Sequence, residues 1–257
     1  MQEGRDFDLK QWRKDIRVGI LALLMMVLSV LPWAVYGAVC VRRQRAQAVP
    51  VMGGTNAPCV AITFDDGPRR ETTTLLLDGL ARRGAQATFF LVGERITGNE
   101  DVILRMEREG HQVGLHSQSH MVLAELNSEQ LFGEVEVLRR TLEGLLGEGD
   151  RMLRPPYGLI SENLCKWAKY PIILWSVDPE DWSDHNVERQ VAEVLAQVED
   201  GDIILLHDIY YASVETAFQV MDELMKRGFR LVTVEELFAI RGKEPEAGAV
   251  YRSLPPG

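Results

Sequence analysis

The stretch Val60-Ala61-Ile62-Thr63-Phe64-Asp65-Asp66-Gly67-Pro68 decides the reading of this chain. Its first five residues are apolar or β-branched, the composition of a buried strand. Two adjacent carboxylates end the run, and Gly67-Pro68 then turns the chain away. In extended backbone, successive side chains point to opposite faces. Asp65 and Asp66 are therefore expected to divide their work, one binding a cation and the other taking a proton. An ordinary Asp-Asp-Gly-Pro surface turn explains the glycine and proline but not the apolar strand before them.

Outward from this stretch, short apolar runs alternate with amphipathic segments. Strands are predicted at Val60–Phe64, Ala87–Val92, Gln112–Leu115, Met152–Arg154, Ile172–Trp175, Ile203–Leu206 and Arg230–Val232. Helices are predicted at Glu71–Arg83, Asp101–Glu109, Ser128–Leu146, Ser161–Lys169, Val187–Gln197, Ser213–Lys226 and Val234–Ile240. Ser128, followed by Gln130, and Ser161, before Glu162, are read as helix caps. Seven such βα units imply an α/β fold, a distorted (β/α) barrel over residues 59–240, with 241–257 as a C-terminal tail.

The chemically capable residues then fall on one rim. Asp65 and Asp66, His116, Arg154, the segment Asp178–Trp182, and His207 each lie at or just past the C-terminal end of a predicted strand. That is where parallel barrels place active sites. His116 and His120 are four apart, so on a helix they share a face and can meet one ion. The plain reading is a pair of surface or capping histidines. With Asp66 as third ligand they form a set that leaves a position open for water, as in catalytic zinc sites. Such a set suits zinc first, with cobalt, nickel or iron also compatible. Asp65, beside it, is the candidate general base of a metal-assisted hydrolase.

Charge narrows the partners. Residues 1–45 carry eight basic and four acidic side chains, a net of +4, so the rest of a chain at −10 carries −14. A domain that negative repels phosphate backbones, which argues against nucleic acid. Val18–Val41 contains no charged residue, and at 24 positions is long enough to span a bilayer. Trp33 and Tyr36 sit toward its distal end, as interfacial rings do. The expected organisation is a cytoplasmic segment (1–17), a single membrane anchor (18–41) and a linker (42–58). Five basic residues precede the span and three follow it, which favours an extracytoplasmic catalytic domain at the cell membrane. A cleaved signal peptide is the alternative, although Ala38-Val39-Cys40 is a poor cleavage site. Cys59 and Cys165 are read as small buried thiols or as a pair. The sequence specifies no oligomeric state.

Thr63–Pro68, His116–His120, Arg154-Pro155-Pro156-Tyr157-Gly158, Asp178-Pro179-Glu180-Asp181-Trp182 and Leu205-Leu206-His207-Asp208 together resemble the five ordered motifs of the polysaccharide deacetylase family, the NodB-homology fold. Ala87–Gly93 also resembles that family's second strand. The likeness covers about Cys59 to Ile240. It implies that Asp66, His116 and His120 bind a divalent metal, that Asp65 is the catalytic base, and that His207 is the catalytic acid. Arg154 would hold Asp65 ionised and oriented, and Asp181 would partner His207. Trp182 and Leu205 would line a pocket for the acetyl methyl, and the Tyr157 backbone N–H would help hold the oxyanion. Glu180 fits none of these roles.

The expected activity is metal-dependent removal of N-acetyl groups from N-acetylglucosamine residues of an extracytoplasmic polysaccharide. Peptidoglycan is the first candidate and chitooligosaccharides the second. Two other readings remain. One is a lapsed relative that only binds glycan. The other is a barrel glycosidase pairing Glu180 or Asp181 with Asp65, which would require defined carboxylate spacing and leave the histidine pair unexplained.

Overall fold

The computed structural model describes residues 57–257. The predicted N-terminal segment and membrane span lie outside the described residues, as does all but the end of the linker. Among the described residues, no helix is long and apolar enough to cross a membrane.

Strand β1 (Cys59–Asp65) is buried along its whole length, as expected of a strand covered on both faces. Its side chains alternate between two apolar clusters. Val60, Ile62 and Phe64 join the larger one, and Cys59 and Ala61 the smaller. By the same alternation Thr63 and Asp65 share the second face, which fixes where the first carboxylate points. Helix α1 (Arg70–Arg83) and strand β2 (Thr88–Leu91) follow, then helix α2 (Glu100–Arg108) and strand β3 (Gln112–Leu115). The strands run parallel in the order β3-β2-β1, with strand β5 (Ile203–His207) on the other side of β1. Strand β6 (Arg230–Val232) pairs with the start of β1.

The remaining connection is made by single bridges. Leu115 pairs with Leu153, Leu153 with Ile172, and Val177 with Ile204, all parallel. Hydrogen bonds therefore run from β1 through β2 and β3 to Leu153 and on to strand β4 (Ile172–Ile173), while Val177, further along the same stretch of chain, bridges to β5, which pairs with β1. The fold is a parallel-sheet α/β architecture. Two expected strands are corrected. Met152–Arg154 reduces to the bridge at Leu153, and Ile172–Trp175 shortens to β4.

The helical layer also departs from expectation in places. The predicted helix Ser128–Leu146 consists of α3 (Ser128–Leu131), a π turn (Phe132–Glu136) and α4 (Val137–Leu146). Its cap is Asn127 rather than Ser128. The Asn127 side chain accepts the Glu129 and Gln130 N–H groups, and Gln130 returns a bond to the Asn127 N–H. Ser161 does cap α5 (Glu162–Trp167), accepting the Leu164 N–H. Helices α6 (Val187–Gln197), α7 (Tyr211–Lys226) and α8 (Val234–Ile240) complete the layer. The segment expected as a tail supplies strand β7 (Val250–Tyr251), which pairs with β4, and a buried Leu254. Cys59 and Cys165 are free thiols.

His111 is buried with no role in the rim. Its Nδ1 accepts the Ala87 N–H at 3.2 Å, and burial pushes the imidazole down to about 4. The unfolded chain, titrating near its ordinary value, therefore binds the extra proton between about pH 6.5 and 4. His111 should contribute stability above that window, of the order of 3 kcal/mol, and lose it as pH falls through it. Urea unfolding measured across this range should show a shallower acid slope in His111→Gln, which keeps an acceptor but does not titrate.

Candidate active site

Strand register delivers the site. Asp65 pairs with His207 across β1 and β5, and Leu91 pairs with Leu115 across β2 and β3. Leu115 in turn bridges to Leu153. Asp65, His116, Arg154 and His207 thus end neighbouring strands or bridges at one level.

Arg154 is fully buried. Its Nη1 donates to Asp65 Oδ1 at 2.8 Å and to Thr63 Oγ1 at 2.6 Å. Its Nε and Nη2 donate to the Ile173 and Leu174 carbonyls at 3.1 and 3.0 Å. Thr63 passes its own proton to the Ile204 carbonyl, which leaves its oxygen free to accept. The guanidinium also lies over the Phe90 ring, 4.2 Å from its centroid. Burial lowers the Arg154 pKa, and the Asp65 charge opposes that shift.

Asp66 leaves the strand with φ of 71° and joins the two histidines. One ligand atom from each of Asp66, His116 and His120 lies within 4.8 Å of the others. The histidine pair is not on a helix, as the spacing suggested. It sits on a loop in which Ser117 and His120 are themselves left-handed, with φ of 69° and 61°. The His116 Nδ1 is 2.7 Å from the Arg154 carbonyl. A carbonyl can only accept, so in the neutral ring Nδ1 carries the proton and Nε2 presents a lone pair. That Nε2 is 3.5 Å from Asp66 Oδ1, and His120 Nε2 is 3.0 Å from the same oxygen. Asp66 Oδ1 is buried and makes no hydrogen bond of adequate geometry. Burial alone would raise the Asp66 carboxyl, but the two imidazoles outweigh it and hold it below the usual range. Ligand atoms gathered at such distances could hold a divalent cation and leave a position open for water.

On the far side of Asp65, Asp181 is fully buried and grips His207 twice. Its Oδ1 is 2.7 Å from His207 Nδ1, and its Oδ2 accepts the His207 backbone N–H at 2.8 Å. Burial would lower the imidazole pKa. Asp181, together with Asp65 and Asp66, overcomes this and pushes it up to about 9. If His207 is the proton donor, turnover should decline as pH rises through this titration. Asp181→Asn should then move the alkaline limb of the kcat profile about 1–3 units toward acid. An unmoved limb in that variant would reject His207 as the titrating acid.

Tyr157, Trp182 and Leu205 complete the predicted set. Tyr157 has φ of 63°, is 61% exposed, and sets its ring edge-to-face against His120 at 4.8 Å. Trp182 is 55% exposed on the loop that carries Asp181. Leu205 is buried but belongs to neither apolar cluster. Glu180 is exposed. Among the described residues, the non-glycines with left-handed φ are Asp66, Ser117, His120, Tyr157 and Glu180, all within the segments predicted to form the site. Strained backbone of this kind, costing about 1–3 kcal/mol per residue, persists where surroundings over-determine it and concentrates at functional sites.

Asp208 closes the Leu205–Asp208 motif but carries no role assigned from the sequence. It is fully buried, accepts a short hydrogen bond from the Thr73 hydroxyl, and is pushed up to about 7 by burial. A Cβ on Gly67 would lie 2.4 Å from its carboxylate oxygens, so the glycine of Asp-Asp-Gly-Pro is required by this packing. An acid directly after the last buried strand was the available signal.

A family model described as polysaccharide deacetylase matches residues 52–170. The peptidoglycan-N-acetylglucosamine deacetylase of Bacillus cereus is 36% identical over 190 residues, 71% of this chain and 89% of that protein. The chain belongs to the polysaccharide deacetylase family. The peptidoglycan-N-acetylmuramic acid deacetylase PdaC of Bacillus subtilis is 38% identical over 192 residues, 75% of this chain. This chain spans only 41% of that relative's length. Among solved structures, the family 4 acetyl xylan esterase from Clostridium thermocellum in complex with a cobalt ion superimposes with a TM-score of 0.73 at 31% identity. That match covers 77% of this chain and 99% of the esterase. Family membership, with Asp66 and both histidines gathered at one point, removes the support for a two-carboxylate glycosidase.

Proposed function

We propose that this chain is a metal-dependent polysaccharide N-deacetylase acting outside the cytoplasm, with peptidoglycan as its polymer. The observation that carries the reading is the convergence of Asp66, His116 and His120 beside an Asp65 locked to a buried arginine. The relatives named for peptidoglycan support the choice of polymer. The uncharged stretch Val18–Val41 and the basic excess before it support a membrane tether with the catalytic domain outside. The cobalt-bound relative supports a divalent ion, and the nitrogen–oxygen donor set favours zinc.

Asp66, His116 and His120 would hold the metal. When bound, it would lend Lewis acidity to the amide carbonyl and to a water molecule. Asp65 takes the water's proton through the carboxylate oxygen that Arg154 leaves free. Arg154 fixes the orientation of Asp65 and offsets its charge. His207, held by Asp181 with its proton on Nδ1, donates from Nε2 to the departing amine. The Tyr157 backbone N–H would help stabilise the oxyanion. Trp182 and Leu205 enclose the acetyl methyl. A module that merely binds glycan has no use for Asp65, Arg154 and His207 in this arrangement.

The deciding experiment is acetate release by the full-length chain in detergent, from peptidoglycan and from chitooligosaccharides side by side. Activity should vanish in EDTA and return with zinc or cobalt. Undiminished release in chelator overturns the metal role, and faster release from chitooligosaccharides overturns the choice of polymer.

A further inference from the structure

The loop carrying His116 and His120 contains two left-handed non-glycine residues, so something outside it must hold it. Within the loop, Ser117 Oγ accepts the His120 N–H at 2.8 Å. On one side, the Gly93 and Glu94 N–H groups donate to the Ser117 and Gln118 carbonyls at 3.1 and 2.9 Å. On the other side stands Glu134. Its Oε2 accepts the Ser119 N–H at 2.9 Å, and its Oε1 accepts the Ser119 hydroxyl at 2.8 Å. Both oxygens are spent on the residue immediately before His120.

Glu134 lies in the middle of the π turn between α3 and α4. The buried stripe of this helical stretch is Leu131, Val135, Leu138 and Leu142. Glu134 sits beside that stripe, half-buried. Among the described residues it makes no ion pair, and Ser119 is its hydrogen-bond partner. The π turn adds a residue to the helical ladder, a feature found often at functional sites.

We propose that Glu134 is a positioning residue for the metal site. It clamps Ser119 so that His120 already faces Asp66 before a cation arrives. This rests on the metal-site reading above. Without the clamp, the cation must order the loop itself, and that cost appears as weaker binding. Removing an outer partner of this kind typically lowers metal affinity about 10- to 100-fold.

The test is calorimetric titration of zinc into the metal-free full-length chain at 25 °C, with cobalt absorption as a second readout of ligand geometry. Glu134→Ala should bind zinc about 10- to 100-fold more weakly. Glu134→Gln keeps one accepting oxygen and the size of the side chain, and should fall between. Ser119→Ala should weaken binding in the parent chain but add nothing in the Glu134→Ala background, because the partner is already gone. A purely structural role would lower the melting temperature of the metal-free protein and leave zinc affinity at 25 °C unchanged. Parent-like affinity in both Glu134 variants, or additive effects of the two positions, overturns this proposal alone. A parent chain that binds no divalent ion overturns it together with the reading it rests on.

Discussion

Asp65→Asn should cut acetate release about 10²- to 10⁴-fold, the range that a positioned general base contributes, while zinc binding survives. The geometry separates the two functions. Asp65 Oδ1 is committed to Arg154 at 2.8 Å, and Oδ2 lies 3.7 Å from His116 Nε2. Asp66 is the carboxylate that meets both histidines. Asparagine matches aspartate in shape, so the strand end and the buried arginine retain a neighbour of the right size. It has no oxygen able to take a full proton. The loss should appear in kcat rather than in KM, because Asp65 acts on the reacting water and not on the bound sugar. Zinc stoichiometry measured on the same preparation separates this outcome from loss of the metal. A variant that releases acetate at the parent rate removes Asp65 as the base. Asp66→Asn should instead lose metal and activity together.

Much of the site was legible because its residues terminate strands whose apolar runs are unmistakable. Val60–Phe64 and Ile203–Leu206 need no tertiary information to be read as buried strands, and the polar residues following them stand out. What was missed depended on contacts distant in sequence. Met152–Arg154 looks like a strand end, yet only Leu153 bridges, between Leu115 and Ile172. Val250–Tyr251 is too short to show any periodicity, and its identity comes from pairing with β4. The His116–His120 spacing was read as one helical turn, but the left-handed Ser117 and His120 cannot belong to a right-handed helix. The same convergence is reached through a loop held from outside. The π turn was hidden because the apolar period from Leu131 to Leu142 passes through it unbroken. The polar exceptions, Glu134 beside the stripe and Glu136 buried against Tyr170, were the only marks it left.

Arg154→Met should be the most destabilising single change at the site. The fully buried guanidinium satisfies a carboxylate, a hydroxyl and two backbone carbonyls. Methionine fills most of the volume and can still rest against Phe90, so the loss is polar rather than a cavity. It strands Asp65 as an unpaired buried charge and leaves the Ile173 and Leu174 carbonyls without this donor. Breaking a buried pair by removing one partner costs about 3–5 kcal/mol. For a domain of this size that corresponds to a fall in melting temperature of roughly 6–20 °C. Arg154→Lys should recover little. A single ammonium can neutralise Asp65 but cannot reach two carbonyls and a hydroxyl in the fixed fork that arginine presents. Both variants should also lose acetate release, since Asp65 loses its orientation. Thermal melts with and without zinc separate the two effects. The Arg154 carbonyl that orients His116 is backbone and survives substitution, so zinc should still raise the melting temperature of a variant that folds. A melting temperature within about 2 °C of the parent would mean that water or a neighbouring donor replaces the guanidinium. The buried arginine would then be a catalytic device without a structural one.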